Sequence, residues 1–232
     1  VTELLLISSR RKRALEDYMD HEVELEGALQ RAGRRDLLDK IAPPALRTTV
    51  VRQPAMRGTG HALLLAREFA GSEPVVVAYP DDIHIGAPPL TAQLLETHRA
   101  TGATVLATIY DPPHLERYGI VALDDDGEHV TDIVEKPTPG TEPSREASIG
   151  RYLYTPDFFD ELAEEWAGFA EEGEFFHTGA LKRLMARGRV VRRRISGDRI
   201  DVGAPAGYVR AFVRYAAEDP ELRAAMEDEL RR

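Results

Sequence analysis

The chain has 232 residues, of which 43% are hydrophobic and 30% charged, and its formal net charge is −10. This length and composition are typical of one sizeable soluble α/β domain. The acidic balance argues against nucleic acid or an anionic membrane as a partner, because both require basic surfaces, and we interpret the basic runs Arg10–Arg13 and Arg192–Arg194 as solvated faces.

Strands and helices are predicted to alternate along the first 110 residues. Short apolar or β-branched runs alternate with stretches whose apolar residues have helical spacing. The strands are predicted at 2–9, 48–53, 74–80 and 103–110, and the helices at 11–20, 23–33, 61–71 and 90–102. This alternation predicts a doubly wound α/β fold, in which helices cover both faces of a mainly parallel sheet.

The pattern changes after residue 110. Residues 118–137 predict two strands around an Asp-Gly turn, and residues 148–155 predict another strand, so we expect a β-rich portion from about Tyr118 to Thr155. The remaining predicted elements are a helix from Pro156, a helix near 178–187, a strand at 189–195 and two C-terminal helices. With no internal repeat or low-complexity tract, the sequence predicts one domain over residues 1–232.

Three polar groups follow predicted strands: Gln53, the pair Asp81-Asp82, and Asp201. In open α/β sheets, ligands bind beyond the carboxyl ends of the strands. Carboxylates at such positions are suited to a hard cation. Each group also has a structural explanation, Gln53 as an ordinary polar strand end and the aspartates as helix caps, with Asp201 serving a helix from Pro205.

Gly58 and Gly60 lie where a predicted strand is followed by a helix. The segment Gly58-Thr59-Gly60 is not G-x-G-x-x-G, because residue 63 is leucine, and it is not a P-loop, because no G-K-[ST] follows. Both glycines are also explained as turn residues with positive φ.

The sequence contains no arrangement typical of nucleophilic catalysis. Cysteine is absent, which excludes disulfides, cysteine zinc sites and cysteine nucleophiles. No serine lies in a G-x-S-x-G elbow, and no two histidines have the i, i+4 spacing of a helical metal site. The sequence therefore favours chemistry that depends on positioning and charge neutralisation, such as nucleotidyl transfer.

The sequence also lacks features of a secreted or membrane protein. No apolar run approaches the roughly 18 residues that a membrane span needs, and the first residues do not resemble a signal peptide. We therefore expect a cytoplasmic protein.

Six segments occur in an order that resembles a known family. They are VRQPAMRGTGHALLLA (51–66), VVVAYPDDI (75–83), RYGIV (117–121), DIVEKP (132–137), GRYLYTPDFFD (150–160) and RIDVGAPAGYVRAF (199–212). Together they resemble the bacterial UTP–glucose-1-phosphate uridylyltransferases, of the sugar-nucleotide pyrophosphorylase family, over essentially the whole chain. The resemblance implies Mg²⁺ as cofactor and UTP and glucose 1-phosphate as small-molecule partners, with no nucleic acid or membrane partner, and it is compatible with a homo-oligomer.

The resemblance implies nucleotide and metal roles for individual residues. Gln53 matches the residue that pairs with the uracil edge, and Gly58 matches the glycine that lets the backbone approach the base, while Gly60 would ease the start of the helix. Asp81 and Asp201 match the two magnesium-binding aspartates, and Asp81 is also implied in nucleotide binding and catalysis.

The resemblance implies a second group of residues for the sugar phosphate. Gly119 matches a glycine beside the glucosyl group, and Glu135 matches a glutamate that binds sugar hydroxyls. Lys136 matches the catalytic lysine that neutralises the sugar phosphate, and Glu174 is retained as a further sugar-phosphate residue. The implied reaction is a single in-line displacement of pyrophosphate from UTP, without a covalent enzyme intermediate.

The chain departs from the family pattern in several places. No segment matches the family's glycine-rich loop, so we expect the first strand and this loop to be absent and residues 1–232 alone to turn over poorly. Arg145, Phe176, Gly179 and Asp198 stand where the family has Asn, Gln, Asp and Lys. Two alternatives stay open: a truncated or non-catalytic relative that binds a nucleotide sugar or a partner protein, and a pyrophosphorylase for another sugar 1-phosphate or base.

Overall fold

The structure is a computed structural model that describes residues 1–170 and 172–232. The chain divides into two compact units. The first unit comprises Val1–Gly71 and Leu162–His177, and the second comprises Ser72–Glu161 and Thr178–Arg232. Within the described residues, none of the helices combines the length and the apolar character that a transmembrane span requires.

The predicted alternation of strands and helices is present. The strands are β1 (Glu3–Ser8), β2 (Arg47–Arg52), β3 (Val75–Ala78), β4 (Asp82–Ile85), β5 (Thr104–Tyr110), β6 (Gly119–Leu123), β7 (Val130–Glu135), β8 (Glu146–Tyr154), β9 (Val190–Arg194) and β10 (Asp198–Asp201). The helices are α1 (Arg13–Tyr18), α2 (Val23–Arg31), α3 (Arg35–Ile41), α4 (Thr59–Leu64), α5 (Arg67–Ala70), α6 (Leu90–Thr101), α7 (Pro156–Ala167), α8 (Thr178–Met185), α9 (Pro205–Glu218) and α10 (Pro220–Leu230), with a 3₁₀ turn at Leu115–Arg117. The short elements α3, β4 and β10 were not predicted, and the helix predicted at 61–71 is divided between α4 and α5.

The first unit contains β1 and β2, which form a parallel pair from Glu3 opposite Arg47 to Ser8 opposite Arg52. The apolar residues at 2–9 would suit a buried strand, but β1 is mostly half-buried, because it pairs with no strand other than β2 among the described residues. Glu16 of α1 fastens the helix to this sheet, since its carboxylate accepts from the Ser8 hydroxyl at 2.8 Å and from the Arg52 guanidinium at 2.7 Å.

The second unit contains the larger sheet, in the order β7-β6-β8-β5-β9, with β3 also paired to β8. The α/β class with a β-rich portion and C-terminal helices is confirmed. The share of parallel pairs is lower than predicted: among the described strands, β1–β2 and β5–β9 are parallel, and the other pairs are antiparallel. The cause is β8, which lies between β3 and β5 and is antiparallel to both.

Two apolar layers hold this sheet in place. On one side, Leu90 and Leu94 of α6 pack with Val105, Ile149 and Leu153 of β5 and β8, and each burial is worth roughly 1.5–3 kcal/mol before entropy costs. A separate group of buried aromatic side chains includes Tyr154 and Phe158, whose rings stack with centroids 3.7 Å apart. These layers fix the strands whose ends carry the polar residues described next.

Candidate active site

Gln53 lies directly after β2 in the first unit. Its backbone N–H donates to Ser8 O at 2.9 Å, which continues the parallel pairing beyond the strand. Its side-chain Nε2 donates to Gly58 O at 3.3 Å and lies 3.0 Å from His61 Nδ1. With both amide hydrogens directed to these partners, Oε1 is the atom of the Gln53 side chain that is left to accept a hydrogen from a ligand.

Gly58 and Gly60 pack against the backbone of Phe175, in the same unit. A Cβ at Gly58, where φ is +94°, would lie 2.5 Å from Phe175 O. Backbone hydrogen bonds join the two segments in both directions, from Gly60 N to Phe175 O at 2.9 Å and from Phe175 N to Arg57 O at 2.8 Å. The close approach of a protein segment therefore requires these glycines, whereas the role of Gly58 beside a base stays a prediction.

Gly60 is the better position for testing this packing by substitution, because its φ is not positive and a new side chain affects only packing. We expect Gly60→Ala to lower the free energy of unfolding by about 1–3 kcal/mol, since the new methyl group would lie 2.7 Å from the Phe175 ring and 2.8 Å from Phe176 O. Urea denaturation followed by circular dichroism measures this change.

Gly27→Ala is a matched control for that prediction. Gly27 also lies in a helix of the first unit, but the nearest atom to its added Cβ is the mobile end of Arg31 at 3.4 Å. We expect this change to be neutral or to stabilise the protein by up to about 1 kcal/mol. A loss at Gly60 no larger than at Gly27 would contradict the packing argument.

Thr59 lies between the two glycines in the sequence, and its hydroxyl oxygen is 3.0 Å from His177 Nδ1. His177 is 8% exposed, and burial lowers its pKa to about 4. The imidazole is therefore neutral at physiological pH and acts as a hydrogen-bonding group of the first unit, not as a charge.

Asp81 and Asp201 are brought together in the second unit. Asp81 lies in the turn between β3 and β4, and Asp201 ends β10, which is antiparallel to β4 with Asp201 opposite Asp82. Val202 N donates to Asp81 O at 2.8 Å. The point that a Cβ of Gly203 would occupy is 3.2 Å from Asp201 Oδ1 and 3.3 Å from Asp81 Oδ2, so the two carboxylates converge on a space that a larger residue would fill.

Asp82 has a different environment from its neighbour. It is 7% exposed, and its carboxylate accepts from Arg199 Nε at 2.6 Å and from Gly150 N at 2.7 Å. Asp82 begins β4 rather than a helix, and Ala204 is the N-cap of α9. The helix-cap explanations for Asp81-Asp82 and for Asp201 are therefore wrong.

Arg199 was not singled out from the sequence. Besides its two bonds to Asp82, its Nη2 lies 3.6 Å from Asp201 Oδ2, and its Nη1 donates to Tyr118 Oη at 3.0 Å. The arginine lies on β10, which the sequence did not predict, and the partner carboxylate of Asp82 is 117 positions away along the chain. The sequence offered one weak signal for these contacts: a tyrosine in RYGIV and an arginine in RID lie close in the sequence to residues already selected as site candidates.

Gly119, Glu135 and Lys136 meet at one end of the β6–β7 pair. Gly119 is opposite Glu135, and a Cβ at Gly119 would lie 2.8 Å from Glu135 Oε2. Lys136 follows with a positive φ of 47°, and its N–H donates to Tyr118 O at 2.9 Å. Glu174 lies in the first unit, where it is exposed and directly precedes Phe175.

A cavity of about 380 Å³ adjoins Asp82 in the second unit. Its lining includes Tyr79, His84 and Arg151, and it contains none of the site residues predicted from the sequence. The predicted residues therefore lie on surfaces outside this cavity.

Residues 1–218 match the family model described as nucleotidyl transferase. The chain belongs to the nucleotidyl transferase family. It is 38% identical over 236 residues to UTP–glucose-1-phosphate uridylyltransferase 2 of Staphylococcus saprophyticus, covering 99% of this chain and 80% of that protein. It is 36% identical over 229 residues to UTP–glucose-1-phosphate uridylyltransferase of Staphylococcus haemolyticus, covering 96% of this chain and 79% of that protein.

Solved structures agree with the nucleotidyl transferase assignment. A UTP-bound UGPase from Acinetobacter baumannii has a TM-score of 0.85 at 26% identity, covering 99% of this chain and 82% of that chain. A UDP-glucose pyrophosphorylase complexed with UDP-glucose has a TM-score of 0.76 at 29% identity, covering 94% of this chain and 82% of that chain. The nucleotidyl transferase fold expected from the sequence is confirmed.

Nucleotidyl transferases of this family generally use a divalent metal. The donor set at Asp81 and Asp201 fits such an ion, because it offers two carboxylate oxygens that converge on one point. Among the described residues, Asp81 has no ion-pair partner, while Asp82 is neutralised by Arg199. Asp81, without an ion-pair partner, and Asp201, which Arg199 approaches only to 3.6 Å, therefore remain as the carboxylates for a divalent cation.

Two of the positions where this nucleotidyl transferase departs from the family pattern, Arg145 and Asp198, have local ion-pair partners. Arg145 forms an ion pair with Asp111, and Asp198 forms one with Arg214 at 2.7 Å. The Phe176 side chain is 51% exposed, and its carbonyl lies against Gly60. Arg145 and Asp198 therefore have partners within the protein that do not require a ligand.

Proposed function

We propose that this nucleotidyl transferase is a UTP–glucose-1-phosphate uridylyltransferase, which makes UDP-glucose and pyrophosphate from UTP and glucose 1-phosphate. The observation that carries the proposal is the convergence of Asp81 and Asp201 in a chain 38% identical to a protein of that name. Residues of both compact units fall within the 1–218 family match, which supports one nucleotidyltransferase domain. The cytoplasmic location stays a prediction.

The sugar-phosphate residues of the second unit have chemistry suited to this reaction. Glu135 can accept hydrogens from sugar hydroxyls, and the missing Cβ of Gly119 leaves the space that the Glu135 carboxylate occupies. The Lys136 ammonium would neutralise the phosphate of glucose 1-phosphate, which lowers the repulsion between two anionic substrates. Glu174 stays a proposed sugar-phosphate residue by resemblance.

The proposed reaction is one displacement at phosphorus. An oxygen of the glucose 1-phosphate forms a bond to the α-phosphorus of UTP, the bond from that phosphorus to the bridging oxygen breaks, and pyrophosphate leaves with the electron pair. Asp81 and Asp201 would hold Mg²⁺, which when bound supplies positive charge at the phosphate oxygens. No nucleophilic side chain is needed, in agreement with the absence of such a residue from the sequence motifs.

The test is pyrophosphate release by the purified protein. Release should require UTP, glucose 1-phosphate and a divalent metal together, and this triple requirement, not the absolute rate, is the criterion. Release with another sugar 1-phosphate in preference to glucose 1-phosphate would support the alternative substrate. Tight binding of UDP-glucose without release under any combination would support a non-catalytic relative and contradict the proposal.

Gln53 provides a prediction about the base. With Nε2 bonded to Gly58 O and near His61, Oε1 can accept the N3 hydrogen of uracil or thymine. We expect Gln53→Ala to weaken UTP binding by roughly 1–3 kcal/mol, because the base edge then loses its partner. Calorimetric titration of UTP, dTTP and ATP measures this change and the preference for pyrimidines; equal affinities of the unmodified protein for all three would contradict a base-recognition role.

A further inference from the structure

The guanidinium of Arg199 lies at the centre of a group of contacts in the second unit. Its side chain is 14% exposed. Two of its nitrogens, Nε and Nη2, contact the two carboxylate oxygens of Asp82 at 2.6 and 3.3 Å, in the fork geometry that arginine forms with carboxylates. Nη2 also lies 3.6 Å from Asp201, and Nη1 donates to the Tyr118 hydroxyl at 3.0 Å.

These contacts distinguish the three carboxylates around the β3–β4 turn. Asp82 receives both the guanidinium and the Gly150 N–H, so its charge is compensated within the protein. Asp81 is exposed, and Asp201 accepts from Gly203 N at 3.0 Å through Oδ1 and is approached by Arg199 Nη2 to 3.6 Å through Oδ2. Arg199 therefore neutralises Asp82, so that Asp81 and Asp201 are the carboxylates available to a ligand. It also holds the end of β10, which carries Asp201, next to β4.

Tyr118 extends the same group of contacts to the sugar-phosphate residues. The guanidinium lies over the Tyr118 ring, 5.4 Å from its centroid, in addition to the hydrogen bond with the hydroxyl. The Tyr118 carbonyl accepts the N–H of Lys136, whose backbone has a positive φ. Gly119 directly follows Tyr118 in the sequence. One tyrosine thus connects Arg199 with the segment that bears the phosphate-neutralising lysine.

We propose that Arg199 is a positioning residue that fixes the metal-binding aspartates and, through Tyr118, the sugar-phosphate residues in one geometry. This inference rests on the proposed function. Arg199 does not contact substrate in the inference; it acts through Asp82, Asp201 and Tyr118. Its planar fork is essential to this role, because a lysine ammonium at the same site keeps the charge but cannot reach all three partners at once.

Arg199→Lys separates geometry from charge. We expect Mn²⁺ binding to the substrate-free protein, measured by electron paramagnetic resonance, to weaken by about tenfold, as is typical when a residue that orients metal ligands is changed. The matched control is Arg214→Lys. Arg214 is an exposed arginine of α9, and its partner Asp198 lies on β10 together with Arg199. The control should bind Mn²⁺ as the unmodified protein does, within about twofold.

Tyr118→Phe tests the other side of the connection. It removes the hydroxyl that accepts from Arg199 but keeps the aromatic ring and the Arg199–Asp82 pair. We expect the KM for glucose 1-phosphate to rise about three- to tenfold, while the Mn²⁺ affinity changes by less than about twofold. A Mn²⁺ affinity that falls as far as in Arg199→Lys, or an unchanged KM, would contradict the proposed connection.

Asp81→Asn distinguishes failure of this inference from failure of the proposed function. If Asp81→Asn leaves Mn²⁺ binding unchanged, the proposed metal site itself is wrong. If Asp81→Asn abolishes Mn²⁺ binding while a folded Arg199→Lys binds normally, the site stands and the positioning role of Arg199 is overturned. If Arg199→Lys shows no cooperative thermal unfolding, the result for Tyr118→Phe decides, since that variant keeps the buried ion pair.

Discussion

Asp81→Asn should slow pyrophosphate release by about 10²–10³-fold at saturating UTP and glucose 1-phosphate, a loss typical of removing one preorganised electrostatic group from an active site. The physical reason is that Asp81 is one of two carboxylates converging on the space beside Gly203. With a neutral amide there, only the Asp201 carboxylate, which Arg199 approaches to 3.6 Å, remains to hold a divalent cation beside two anionic substrates. Asp201→Asn should have a similar effect for the same reason.

The stability of Asp81→Asn should hardly change, because Asp81 is exposed and has no ion-pair partner among the described residues. Exposed substitutions of this kind usually alter the free energy of unfolding by less than about 0.5 kcal/mol. A suitable control is Asp125→Asn, which changes an exposed aspartate within a row of aspartates on the β6–β7 turn. Titrating Mg²⁺ during the assay and recording thermal unfolding separate the two effects; activity within tenfold of the unmodified protein would show that Asp81 is not a metal ligand.

Asp82→Ala, one position further along, should instead destabilise the protein by about 3–5 kcal/mol. The substitution leaves the largely buried Arg199 guanidinium without its main counter-ion and the Gly150 N–H without its acceptor. The loss in the free energy of unfolding exceeds that of the contacts alone, because a buried charge or donor without a partner is costly. Urea denaturation followed by circular dichroism measures the loss.

Two further variants make this second prediction specific. Asp198→Ala removes an exposed carboxylate of β10, the strand of Arg199, which pairs with Arg214 of α9, and such a pair is worth at most about 1 kcal/mol. Replacing both members of the buried pair, in Asp82→Leu with Arg199→Met, should recover much of the stability lost in Asp82→Ala, because no unpaired charge remains. Equal losses for Asp82→Ala and Asp198→Ala would mean that burial of the Arg199–Asp82 pair does not govern its contribution.

The longer elements could be predicted from the sequence because their patterns are local. The apolar runs of β3 and β5 and the helical spacing of α6 are visible within a dozen residues, and the α/β class follows from their order. The strands β4 and β10 could not be found in this way. Each has four residues with charged or polar positions, and each becomes a strand only by pairing with the other across more than 100 positions of chain.

In the candidate site, too, residues marked by local sequence patterns could be predicted, whereas contacts between distant segments could not. Gln53, Asp81 and Asp201 could be selected because polar residues after strands are recognisable in the sequence, and the resemblance to the family separated Asp81 from Asp82. The reason for that separation is physical and distant: Arg199 neutralises Asp82 and leaves Asp81 exposed. The packing of Gly60 against Phe175 was likewise invisible, because the two residues belong to segments that meet only in the folded chain.

The position of β8 has a consequence for how the second unit can move. Its nine residues are hydrogen bonded to β3, which leads to Asp81, to β5 in the core, and to β6, which begins at Gly119. A hinge between the metal-binding turn and the sugar-phosphate segment would have to break some of these strand pairings, although the β5–β8 pairing has a register shift between Leu106 and Thr108. Backbone hydrogen bonding thus stiffens this sheet, so we expect any closure over substrates to come from loops or from elements outside it.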